Sequence, residues 1–116
     1  MTRAERRQHP RKDSLNLLSY ICLDENDHEL TQGMGRTLNV SESGILLETY
    51  RQIDTKHVLL LDIGLADDLI DIKGKVIYSK SLEWSTFRYG IQFLDMDKNV
   101  LLTLKKFIKA FRKMKS

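Results

Sequence analysis

TFRYGIQFLDMDKNVLLTLKKFIKAFRKM, residues 86–114, changes its hydrophobic period halfway along. Phe87, Tyr89, Ile91 and Phe93 occupy alternate positions, the signature of a strand with one buried face. Beyond Asp95-Met96-Asp97, the apolar residues Val100, Leu101, Leu104, Phe107, Ile108, Phe111 and Met114 recur at steps of three and four. That spacing predicts an amphipathic helix over 96–114 whose other face is rich in lysine. Asp95 or Asp97 can serve as its N-cap. The basic residues of its last turns suit the negative end of the helix dipole.

Upstream of this stretch the pattern is strand-like throughout. Leu15 to Leu23 is an apolar run with partial alternation, ended by the polar turn Asp24-Glu25-Asn26-Asp27. Glu29 to Val40 is a second strand, and Gly33 and Gly35 within it predict a bulge or bend. Further strands are expected at Ile45–Thr49, Val58–Ile63, Ile70–Ser79 and Thr86–Leu94. On alternation, Asn39 and Ser41 share one face, and Leu38 and Val40 point to the interior. The expected fold is mainly β: a small six-stranded antiparallel β-barrel over 14–94, followed by the C-terminal helix. Residues 1–13 lack periodicity and are read as a flexible basic arm.

The chain has 116 residues, enough for one modest core and one domain. Net charge is +3, unevenly spread: residues 1–12 carry +4, residues 105–116 carry +6, and the middle carries −7. An acidic body with basic ends points to anion recognition at the termini and argues against a general nucleic-acid binder. The N-terminus lacks the apolar segment of a secretory signal, and no run is long enough to span a membrane. A cytoplasmic protein, monomeric or weakly dimeric, is expected. Cys22 lies in an apolar stretch and reads as a core residue. With His9, His28 and His57 it has no metal-ligand spacing. Paired carboxylates, a Ser/His/Asp set and a Gly-rich phosphate loop do not stand out, so the sequence does not read as an enzyme or as holding a cofactor.

Two short motifs carry the chemistry. Arg6-Arg7-Gln8-His9-Pro10-Arg11 contains R-x-x-x-R at Arg7 and Arg11, with Arg3 and Arg7 as a second possible register. Guanidinium groups fork onto phosphate, pair bidentately with guanine O6 and N7, and stack on bases. Asn39-Val40-Ser41-Glu42-Ser43-Gly44 reads N-x-S-x-x-G. Asn39 and Ser41 offer hydrogen bonds to a base or a phosphate. Gly44 supplies either a positive φ or room for close approach to the backbone. Taken singly, these motifs read as a solvated basic tail and a polar turn.

In this order, and with Gly90-Ile91-Gln92-Phe93 in the last strand, they resemble the two-part signature of the PilZ family. Those are small β-barrel receptors for the bacterial second messenger cyclic di-GMP. The resemblance implies that Arg7 and Arg11 clamp the ligand and that Asn39, Ser41 and Gly44 form its floor. It implies that Arg6, preceding the motif, assists and is compatible with an intercalated ligand pair. It also implies that Tyr78 can stack on a guanine, although an aromatic filling the barrel rim explains Tyr78 as well. Trp84 reads as a satellite core residue or a partner contact. The expected output passes through a protein partner, in motility, exopolysaccharide or biofilm control. Two alternatives stand beside it: a protein-interaction adaptor of the same family without ligand binding, and a small-barrel nucleic-acid binder using its basic termini.

Overall fold

The computed structural model describes residues 17–65 and 68–115. Six strands follow one another as β1 (Leu17–Leu23), β2 (Glu29–Val40), β3 (Gly44–Thr49), β4 (Val58–Leu65), β5 (Asp68–Leu82) and β6 (Thr86–Leu94). One helix, α1 (Lys98–Lys115), ends the described chain. Every strand pairing is antiparallel, and the order β1-β2-β3-β6-β5-β4 closes on itself into a barrel.

Alternation sets the interior. Leu18, Tyr20 and Cys22 from β1, Ile45 and Leu47 from β3, Leu59, Leu61 and Ile63 from β4, and Tyr89, Ile91 and Phe93 from β6 are buried together. The predicted in-facing set of β6 therefore points inward, with Phe87 half-buried at its start. From α1, Leu104, Phe107, Ile108 and Phe111 join the same cluster, so barrel and helix share one core. The rings of Phe107 and Phe111, one turn apart, stack with centroids at 6.2 Å. The helix packs against β4 and β5. Of its two candidate caps, Asp97 does the work: its Oδ1 accepts from the Val100 N–H at 2.8 Å and its carbonyl from Leu101 N–H at 3.0 Å. Asp95 instead sits in a left-handed turn, at φ 49°.

Four local expectations need correction. Gly33 and Gly35 are not bulges; the β1–β2 pairing runs unbroken through both, with Tyr20 and Leu18 as their partners. Their missing side chains make room for neighbours instead. A Cβ at Gly33 would lie 2.6 Å from the Tyr20 hydroxyl, and one at Gly35 would lie 2.8 Å from the Leu47 side chain. The register shifts instead fall near Leu30 and at Leu38. Leu38 is therefore not an interior residue. It is the extra residue of a bulge, and Thr37 takes the inward place, 1% exposed. Lastly, β5 does not end at Ser79 but continues to Leu82, because Lys80, Ser81 and Leu82 still pair with Arg88, Phe87 and Thr86. Backbone pairing extends this hairpin past the last fully buried positions, with Phe87 still packed against the core and Lys80 and Ser81 exposed.

The connections are held by side chains. In the β1–β2 turn, Asp24 Oδ1 accepts from the backbone N–H groups of Asn26 and His28, each at 2.8 Å. These bonds, that of His28 first, hold the Asp24 carboxyl below the usual carboxylate range. Asp54 is lowered in the same way, chiefly by the Lys56 N–H. The loop after β3 is anchored from inside the barrel, where the buried Tyr89 hydroxyl accepts from the Ile53 N–H at 2.7 Å. His28 is exposed, whereas His57 is partly covered and lies 3.6 Å from Asp54.

Candidate ligand site on the barrel wall

The four strands β2, β3, β6 and β5 lie side by side, and their register brings distant residues into rows. One outward row runs Asn39, Leu46, Gly90, Tyr78, each the cross-strand partner of the next. A parallel row toward the α1 end runs Gly44, Gln92, Lys75, and Ser41 joins it through its N–H, which donates to the Gly44 carbonyl at 2.9 Å. The opposite flank is the row Arg36, Glu48, Arg88, Lys80. Asn39, Ser41 and Gly44 of one motif and Tyr78 from a distant strand thus share one patch of barrel wall. Arg6, Arg7 and Arg11 lie outside the described residues.

Two bulges frame the central row. Thr37 and Val40, three residues apart, both point inward, which a regular strand forbids. The extra residue Leu38 absorbs the mismatch and leaves Asn39 facing out. On β5, Ile77 plays the same part, lying between the paired Val76 and Tyr78. The bulge also changes the bonding of Asn39. Its Oδ1 accepts from the Val40 N–H at 2.9 Å, so the side chain is tied to its own strand and its amide N–H₂ is left for other partners.

Gly90 gives the row a bare spot. A Cβ there would lie 3.1 Å from the Cβ of Tyr78, whose ring lies beside the glycine. Tyr78 is half-exposed, on the outer wall in mid-strand and not inside the barrel rim. Gly44 has no positive φ. Its constraint is close approach: a Cβ would collide with the carbonyl oxygen of Ile91 on β6. Between them, Ser41 and Ser43 share a hydroxyl contact at 3.1 Å, and Ser41 Oγ reaches the Gly44 carbonyl at 3.4 Å.

Charge borders this polar floor on both sides. Glu48, little exposed, receives Arg36 Nη2 at 2.9 Å and Arg88 Nε at 3.2 Å. Two guanidiniums on one carboxylate leave that row positive, with Lys80 adding to it. At the other end, a groove of about 430 Å³ opens between Glu42 of the β2–β3 turn and Lys105, Ile108, Lys109, Arg112 and Lys113 of α1. Sequence reading did not single out Gln92, Arg36, Glu48 or Arg88, because only strand register connects them to the motifs. Trp84 is no core residue: it is 90% exposed at the tip of the β5–β6 hairpin, in a left-handed conformation at φ 66°. Among the described residues no three metal-ligating side chains cluster, and no helix is long and apolar enough to cross a membrane.

Known proteins with this architecture are few in sequence likeness but consistent in shape. No curated protein matches the chain by sequence. Two structures of MrkH from K. pneumonia superpose on it, both at 16% identity. The apo form gives a TM-score of 0.58 over 85% of this chain, and a P2(1) crystal form gives 0.60 over 94%. Each match covers 49% of MrkH, so the chain spans about half the length of that protein. The PilZ domain of CeSA from a cellulose-synthesizing bacterium matches at TM-score 0.55 and 7% identity, over 83% of this chain and 93% of that one. These likenesses establish the fold. A family model, the PilZ domain, matches residues 5–110, which takes in both motifs, the whole barrel and most of α1. The chain belongs to the PilZ family, whose members are typically non-catalytic receptors for cyclic di-GMP.

Proposed function

We propose that this chain is a non-enzymatic cyclic di-GMP receptor in which the arm bearing Arg6, Arg7 and Arg11 closes over the wall formed by Asn39, Ser41 and Gly44. The observation that carries the reading is the row Asn39–Leu46–Gly90–Tyr78, in which the Tyr78 ring lies against Gly90 and the Asn39 amide sits beyond Leu46 on the same outer face. In this reading a flat purine is laid against that wall. The tyrosine offers it a stacking partner worth ~1–3 kcal/mol per base. Arginines closing from above supply the phosphate contacts and the bidentate guanine contacts.

Closure orders the arm and changes the surface shown to a protein partner in the cytoplasm. Through that partner, ligand levels would reach motility, exopolysaccharide or biofilm output. The protomer works as a monomer or weak dimer, and the acidic body argues against nucleic acid as the target. Calorimetric titration with cyclic di-GMP tests the reading. Saturable binding is expected, at two ligands per protomer if Arg6 supports an intercalated pair. An Arg7→Ala/Arg11→Ala variant is expected to lose at least about a hundredfold in affinity, on the scale of two charge-assisted contacts. Undiminished binding by that variant would reject the clamp, and absence of binding by the parent chain would favour the adaptor alternative.

A further inference from the structure

We infer that the basic stripe of α1 is a third wall of the ligand site, with Lys105 and Lys109 acting on the ligand's phosphates and Glu42 opposing them. The inference rests on the receptor reading and extends it to a part of the chain that neither motif includes. Its starting point is the groove between α1 and the β2–β3 turn. Four of its six lining residues are cationic, one is Glu42, and Ile108 lies among them.

The groove and the floor share a hairpin. Glu42 sits between Ser41 and Ser43, so the N-x-S-x-x-G segment forms one rim of the groove with its middle residue and one edge of the floor with its outer ones. The row Gly44–Gln92–Lys75 is the floor's nearest row to this rim. Lys105 and Lys109 are one helical turn apart and therefore on the same side of α1. Both are exposed, and their apolar neighbours Leu104 and Ile108 are docked into the core, so the stripe cannot swing away without unpacking the helix. A cyclic dinucleotide carries two phosphates. Held flat on the floor, it turns one edge toward this rim, and charges there act over a Debye length of about 8 Å at physiological ionic strength.

Charge-resolved titration tests the inference. In a Lys105→Gln/Lys109→Gln variant, affinity for cyclic di-GMP should fall about tenfold and depend less steeply on salt, since two screened attractions have been removed. Glu42→Gln should move affinity the other way, tightening it about threefold. Lys98→Gln also removes a positive charge from α1, but about seven residues from Lys105 and so ~10 Å along the helix. It should bind as the parent does, which separates a local wall from net charge. Unchanged affinity and salt dependence in the double variant, or equal losses in the Lys98 variant, would overturn the inference while leaving the receptor reading intact. A parent chain that binds no cyclic di-GMP removes the receptor reading itself and this inference with it. Thermal unfolding of each variant confirms that the helix remains docked.

Discussion

A methyl group at position 44 would meet the Ile91 carbonyl oxygen of β6, which is backbone and cannot rotate aside. The glycine of N-x-S-x-x-G therefore has a structural requirement independent of any ligand. Gly44→Ala is expected to destabilise the fold by about 1–3 kcal/mol, read as a lower urea midpoint with an unchanged slope. A loss of ligand binding in that variant would not by itself identify Gly44 as a contact. Asn39 and Ser41 differ in this respect. Their side chains are bonded within their own hairpin and lie at the surface. Replacing either with alanine should change ligand affinity more than stability.

At the scale of elements, the periodicities in residues 86–114 located β6 and α1 almost to the residue. The helix begins at Lys98 because Asp97 caps it. Asp97→Ala should cost about 1 kcal/mol and lower the melting temperature seen by circular dichroism, leaving binding intact. Strands, turns and the two motifs were legible because alternation, turn residues and arginine spacing are local signals. The bulges at Leu38 and Ile77 were not. A bulge is defined by what the partner strand does, and Leu38 alternates with Val40 convincingly when read alone. For the same reason the row joining Asn39 to Tyr78 was hidden. It depends on three registers at once, β2 with β3, β3 with β6 and β6 with β5. The glycines misled in the opposite direction. Gly33 and Gly35 read as a bulge or bend, whereas side chains on the adjacent strands, Tyr20 of β1 and Leu47 of β3, need the space.

Over the whole molecule, one core serves barrel and helix, and Tyr20 ties its ionisation to folding. Burial pushes the Tyr20 phenol above its ordinary value of 10.0, with the nearby Cys22 and Tyr89 adding to the effect and Arg51 opposing it. A raised folded-state pKa means that the neutral form is favoured by the native state. The resulting stability is fully present below the unfolded pKa near 10 and is lost as pH climbs through the higher folded value. Alkaline unfolding followed by urea should therefore steepen above about pH 10. Tyr20→Phe should flatten that limb, although its effect near neutrality is set only by the lost hydroxyl. An equally steep alkaline limb in the variant would show that another group governs it.

Closure of the barrel has one more result. Among the described residues each strand has a neighbour on both sides for part of its length, and open ladder lies on overhangs such as β5 beyond Lys75, which pairs with β6 alone, and β2 before Arg36, which pairs with β1 alone. Strand addition by another chain is confined to such overhangs. The rest of the described surface presents side chains, on a curved wall, on the helix and on the exposed hairpin tip. Such a vocabulary can be rewritten by single surface substitutions without disturbing the ladder beneath.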